Sequence, residues 1–214
     1  MDAWSALFER AAAYDVDEAA VRETLADVRA ESDSRTTDRA AESDESDESG
    51  ARTERSAPPA ESSPARVVAD ADVLAADLLV DGDARRALDH LRKHSWTTLL
   101  ASDALLSEAE HVIADLADPD LASAWRERVS AWCATVSHPP GDHPALATAY
   151  RGGAMHILTG DERLLSARAG AELGSRLSVS ARRPDAFAAL FDAESLYREV
   201  EDGDYPGPDR DPRE

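Results

Sequence analysis

VVADADVL, residues 67–74, sets two carboxylates in an otherwise apolar run that reads as a buried strand. A carboxylate without a partner beside Val67 and Val68 is costly to bury. Asp70 and Asp72 therefore either cap the next element of the chain or hold something, and the rest of the chain has to decide which. From Arg66 onward, apolar runs alternate with helical periods. RVVADADVL (66–74) and WTTLLAS (96–102) read as strands, with helices over 83–93 and 103–117. A further helix over 119–132 places Leu121, Trp125, Val129 and Trp132 at helical spacing, which is the pattern of core packing. CATVS (133–137) is a short strand, DHPALATAYRGG (142–153) a helix ending on glycines, and MHILT (155–159) a strand. A helix from about Asp161, a strand RLSVS (176–180) and helices from Pro184 close the pattern. Apolar strands alternating with helices predict a parallel sheet covered on both faces, a three-layer α/β domain over residues 66–200.

The flanks differ in composition. Residues 1–31 read as two short helices, one with Trp4, Leu7, Phe8 and Ala11 on a single face, the other with Val21, Thr24, Leu25 and Val28. Asp15 with Glu18 three residues on resembles a capping box before the second. Helices this short bury no core alone, so they are expected to dock on the main domain, a second copy or a protein partner. Residues 32–65 hold almost no large apolar side chain and read as a disordered acidic linker. Residues 201–214 form an acidic, Pro-rich tail.

Net charge is −21, and of 23 basic residues only Lys93 is a lysine. The acids are spread over the whole chain, which suits a cytoplasm at very high salt, where screening is short-range. In that setting the charge does not argue against a nucleic-acid partner. No apolar run approaches the ~18 residues a membrane span needs, and the start has neither a basic nor an apolar leader, so a cytoplasmic protein is expected. The single cysteine, Cys133, excludes an internal disulfide framework and reads as a small buried apolar residue.

In folds of this class ligands gather at the carboxyl ends of the strands. Asp70 ends the first strand, and Asp161 follows MHILT in the turn TGD. Asp142 opens a helix just past CATVS, and Glu108 lies on the helix after WTTLLAS. Singly, Asp142 and Asp161 are good helix caps and Glu108 an ordinary solvated acid. Together, four carboxylates at one sheet edge repel each other unless cations sit between them.

Residues 66–191 resemble a PIN domain, the fold of metal-dependent ribonucleases and of many toxin–antitoxin toxins. The matching segments are VVADADVL with Asp70, SEAEHVI with Glu108, GDHPALATAYRGGA with Asp142 and HILTGDERLL with Asp161. The stretch 142–165 is the most specific. The resemblance implies an endoribonuclease in which these four acids hold Mg²⁺ or Mn²⁺ and hydrolyse RNA phosphodiesters. RNA is the implied substrate, with an antitoxin-like protein, a partner of the N-terminal helices or a second copy as candidate partners. Asp72, Ser102 and Thr159 are candidate auxiliary residues. Of the bases near the motifs (Arg85, Arg86, Arg92, Lys93, Arg163, Arg168, Arg182 and Arg183), Arg163 and Arg168 are the candidate phosphate contacts. The sequence departs from the family pattern at Asp72, a fifth acid, and Glu110 competes with Glu108 for its place.

Two other chemistries fit less well. DADVL resembles the start of haloacid-dehalogenase phosphatases, but Lys93 precedes the strand it should follow, and TGDERLL lacks the second acid. His138, Asp142 and His143 in SHPPGDHP read as a polar loop and not as a transition-metal site. The non-enzymatic alternative is a PIN-like fold that serves RNA positioning or protein interaction without catalysis.

Overall fold

The structure is a computed structural model that describes residues 2–42, 60–139, 143–166 and 179–214. β1 (Ser63–Ala69) is the middle strand of a five-stranded sheet. The chain leaves it through α3 (Ala71–Leu79) and α4 (Asp83–Arg92) to β2 (Thr98–Ala101), then through α5 (Asp103–Leu116) and α6 (Pro119–Trp132) to β3 (Ala134–Thr135). It returns through α7 (Pro144–Gly152) to β4 (Ala154–Leu158) on the other side of β1, and passes α8 (Glu162–Leu165) on its way to β5 (Ser180–Arg182). α9 (Pro184–Leu190) and α10 (Ala193–Val200) come last. The strand order is β3-β2-β1-β4-β5, and every pairing is parallel. Helices flank the sheet in a three-layer α/β architecture, as the alternation predicted. Strand order reverses between β1 and β4, so their carboxyl ends frame the crevice where folds of this kind bind ligands.

Near that crevice the stretch 67–74 differs from its sequence reading. The strand stops at Ala69, and Asp70 is the N-cap of α3, its carboxylate accepting from the Ala71 amide. Asp72 thus sits in the first turn of a helix. α3 is buried all round, so it shows neither the alternation nor the amphipathic stripe that separates helix from strand in a short apolar run. β5 likewise covers 180–182, later than RLSVS; residues 176–178 lie outside the described residues. It is a half-buried edge strand with a polar sequence, which gives apolar periodicity little to register.

The N-terminal arm docks on the domain. α1 (Trp4–Ala11) packs on α3 and α6, and α2 (Glu18–Glu42) on α3 and α5. The cap of α2 is Asp17, whose Oδ1 accepts from the Ala20 amide at 2.8 Å; Asp15 does not fill that place. α2 continues to Glu42 and β1 opens at Ser63, so both ends of the expected 32–65 linker lie in regular elements, and 43–59 fall outside the described residues. Residues 31–42 contain no Gly or Pro to stop the helix, and the Ser32 and Ser34 hydroxyls donate to carbonyls four residues back.

Both ends of the chain converge on α4. Arg92 lies over the rings of Trp4 and Trp132, at 4.1 and 4.7 Å, while its guanidinium pairs with buried Asp77. From the tail, Arg213 pairs with Asp89 at 2.6 Å, and the Tyr205 hydroxyl meets His94 Nε2 at 2.7 Å. Cys133 is half-buried at the core's edge, and burial raises the pKa of its thiol. Gly153 closes α7 with φ 70°, and a Cβ there would meet the Glu61 carbonyl oxygen at 2.3 Å. Only glycine lets the chain entering β1 pass so close to the end of α7. Among the described residues no helix is long and apolar enough to cross a membrane.

Candidate functional site

Asp70 sits where β1 ends and is fully buried. Its Oδ2 accepts from the Thr159 hydroxyl at 3.0 Å, and Thr159 in turn accepts from the Asp161 amide at 3.0 Å. The turn Thr159-Gly160-Asp161 lies just after β4, so the two strand ends at the switch point are joined through these side chains. The Oδ1 of Asp70 accepts from the Ala71 amide at 2.9 Å and from Arg29 Nη2 at 2.7 Å. Arg29 also donates through Nε to Glu108 Oε2 at 2.9 Å, so one guanidinium bridges the acid of β1 and the acid of α5. Burial by itself would lower the pKa of Arg29, but the charges of Asp70 and Glu108 raise it.

Asp161 caps α8 through the Arg163 amide and pairs with the Arg163 guanidinium at 2.9 Å. Burial pushes its carboxyl up, yet the hydrogen bonds of Arg163 hold it below the usual carboxylate range. Glu110 points elsewhere, toward Arg126 at 3.4 Å, so of the two competing acids on α5 it is Glu108 that faces the cluster. Ser102 is buried at the end of β2 and caps α5, accepting from the Leu105 amide. Asp142 and Arg168 lie outside the described residues. Arg163 stands exposed on the rim, whereas Arg92 is buried against Asp77 and Arg85 donates to the carbonyls of Asp77 and Leu78. Those last two bases serve packing and do not line an approach for phosphate.

Two site residues depart from the reading of the sequence, one that it does not single out and one that it places in a polar loop. One is Arg29. The other is His143, which occupies the N-cap position of α7; its Nδ1 accepts from the Ala145 amide. With Nδ1 accepting, the proton of the neutral ring belongs on Nε2. That atom is buried with no hydrogen-bond partner among the described residues, 4.0 Å from Asp70 Oδ2 and 3.9 Å from Asp161 Oδ2. Burial lowers the pKa of His143, outweighing the pull of Asp70. The place of His143 beside Asp142 and Pro144 is the one signal the sequence offers for it.

Asp72 has the most perturbed carboxyl of the group. Its oxygens accept from the Val73 amide at 2.8 Å and the Gly160 amide at 2.7 Å. A Cβ at Gly160 would lie 2.6 Å from Asp72 Oδ2, so glycine is required for this approach. Burial first, and then the charge of Asp70, push Asp72 up to about 7 from 3.8. The folded state therefore holds a proton that the unfolded chain has lost. The stability linked to this proton is full below pH 4 and falls as pH rises to about 7. We expect unfolding free energy to drop by on the order of a few kcal/mol across that window on account of Asp72. Asp72→Asn should remove that part of the fall, at a pH-independent cost of about 1 kcal/mol for the lost acceptor. Urea unfolding at pH 5 and pH 8 checks this, and an equal fall in stability in the two proteins would contradict it.

The donor set is one of hard oxygens, suited to Mg²⁺ or Mn²⁺. Two features fit a cation there: Arg29 already places positive charge between Asp70 and Glu108, and the Asp72 carboxyl resists ionising beside Asp70. With Arg29 so placed, among the described residues no three His, Cys, Asp or Glu side chains are gathered as an ion cage. α2, Asp70, Asp72 and Asp161 line an open cleft of about 400 Å³, with Arg163 at its edge.

Residues 61–213 match the model of a family of unknown function, DUF7384. The chain belongs to this family. Comparison with curated proteins and with solved structures finds no match. The DUF7384 match takes in Asp70, Glu108 and Asp161 and runs into the tail that docks on α4; α1 and α2, with Arg29, lie outside it.

Proposed function

We propose that this DUF7384 chain is a metal-dependent endoribonuclease of the PIN type, working in a cytoplasm at high salt. One observation supports the reading above the others: at the switch point of a parallel sheet, Asp70 at the end of β1 shares Arg29 with Glu108 on α5 and lines one cleft with Asp161 after β4. Asp142, next to His143, is the fourth expected member. Asp70, Glu108, Asp142 and Asp161 would hold Mg²⁺ or Mn²⁺, which supplies an activated water and a counter-charge for the leaving oxygen.

The chain's own residues do the rest. Thr159 fixes the orientation of Asp70, and Gly160 with Val73 does the same for Asp72. His143 Nε2–H aims between Asp70 and Asp161, where it can donate to a water or a phosphate oxygen. Arg163, on the rim, meets the backbone of a single-stranded RNA entering the cleft.

The second reading, an inactive RNA-positioning or protein-interaction module, draws on Arg29, which already satisfies two of the acids. Incubation of the protein with end-labelled single-stranded RNA in molar KCl separates them. The nuclease reading expects internal cleavage with Mn²⁺ and none with EDTA. Intact RNA under both conditions, with Mn²⁺ bound to the protein, would favour the module.

A further inference from the structure

α2 does more than fill an apolar groove. Its residues 22, 25, 26, 29 and 30, one helical face, form a wall of the acid cleft. Arg22 and Arg29, two turns apart on that face, meet different acids. Arg29 bridges Asp70 and Glu108 at 2.7–2.9 Å, whereas Arg22 pairs with Glu18 on its own helix at 3.6 Å and passes beside Gly160. A divalent ion drawn to Asp70 and Glu108 competes with this guanidinium for the same negative charge.

The arm's two helices are fastened unequally. α1 is buried through Trp4, Leu7, Phe8 and Ala11 and is tied to the domain by Arg92. α2 buries only Val21 and Leu25 among its described side chains. Between the helices, the Tyr14 hydroxyl donates to Asp118 at 2.5 Å, which pins the connection to the start of α6. α1 and the Tyr14 link would hold the arm to the domain if α2 left.

We propose that α2 is a built-in competitor for the acid cluster: Arg29 is its resting cation, and α2 must release Asp70 and Glu108 before a divalent ion and an RNA strand enter. This rests on the nuclease reading, because the site it closes is the one proposed there. It makes Arg29 an inhibitory residue, in contrast to a transition-state stabiliser, and it predicts that metal and α2 exclude each other.

The test is isothermal titration of Mn²⁺ into the full chain, the Arg29→Ala variant and each of these carrying Asp70→Asn, with hydrogen exchange of α2 followed during Mn²⁺ addition. The expected result is Mn²⁺ binding at least 10-fold tighter in Arg29→Ala than in wild type, faster basal RNA cleavage, and loss of exchange protection over residues 18–29 of wild type as Mn²⁺ binds. Equal or weaker Mn²⁺ binding in Arg29→Ala, abolished by Asp70→Asn in both backgrounds, would overturn the competitor and leave the metal site standing. Protection of α2 unchanged at saturating Mn²⁺ would overturn it also, and needs no variant. Absence of Mn²⁺ binding in both Arg29→Ala and wild type would sink the metal site and the competitor together.

Discussion

Asp70→Asn is expected to cut Mn²⁺-dependent RNA cleavage by about 100-fold or more while leaving the fold in place. Asn keeps the size of the side chain and one oxygen, so it still caps α3 at the Ala71 amide nearly as well as Asp. The loss is one negative charge at the point shared by β1 and β4. Two effects on the metal-free protein oppose each other: Arg29 loses the charge of one of its two partners, and Asp72 loses the neighbour whose charge raises its carboxyl. The melting temperature without metal should therefore move little. Cleavage retained at the wild-type rate would remove Asp70 from the reaction. A collapse of the metal-free fold would instead mark Asp70 as structural.

Asp77→Ala should produce the largest loss of stability. Asp77 and Arg92 are both buried and joined by two hydrogen bonds, one of 2.9 Å from Arg92 Nη1 to Asp77 Oδ1. Burial raises the Asp77 carboxyl even against the charge of Arg92. Removing Asp77 strands a guanidinium between α3, α4 and the rings of Trp4 and Trp132, and such a broken buried pair costs about 3–5 kcal/mol. Asp89 stays at 3.1 Å from Arg92, which places the expectation at the lower end of that range. Chemical denaturation measures it. α1 should loosen first, since Arg92 lies over its Trp4 ring. A joint replacement of Asp77 and Arg92 by leucine and methionine should recover most of the loss, because no charge is then left unpaired. A single-variant cost below about 1 kcal/mol, the scale of an exposed pair, would mean that the pair is solvated.

The residues that are legible in the sequence share a property: their role is fixed by local pattern. The strand–helix alternation predicts the parallel sheet because β1, β2 and β4 carry short apolar runs that alternate with helices. Asp70 and Asp161 can be placed at strand ends by counting from Val67 and from Met155. Features that local pattern does not encode stay hidden. α3 is buried on all sides, so its period is silent and Asp72 reads as part of a strand. His143 holds the cap position because Pro144 opens α7, and caps are sought first among Asp, Asn, Ser and Thr. Arg29 meets acids 41 and 79 residues away, a pairing that helical spacing alone does not announce. Its one trace is that Arg29 borders the apolar stripe of Val21, Leu25 and Val28.

Diffraction at the manganese edge from crystals of the full chain soaked in Mn²⁺ tests the acid cluster most directly. The account predicts an anomalous peak at roughly 2 Å from a carboxylate oxygen of Asp70, with Asp161 or Glu108 as a further ligand and Arg29 withdrawn from both Asp70 and Glu108. Saturating Mn²⁺ with no peak at Asp70, and Arg29 still bridging the two acids, would contradict it.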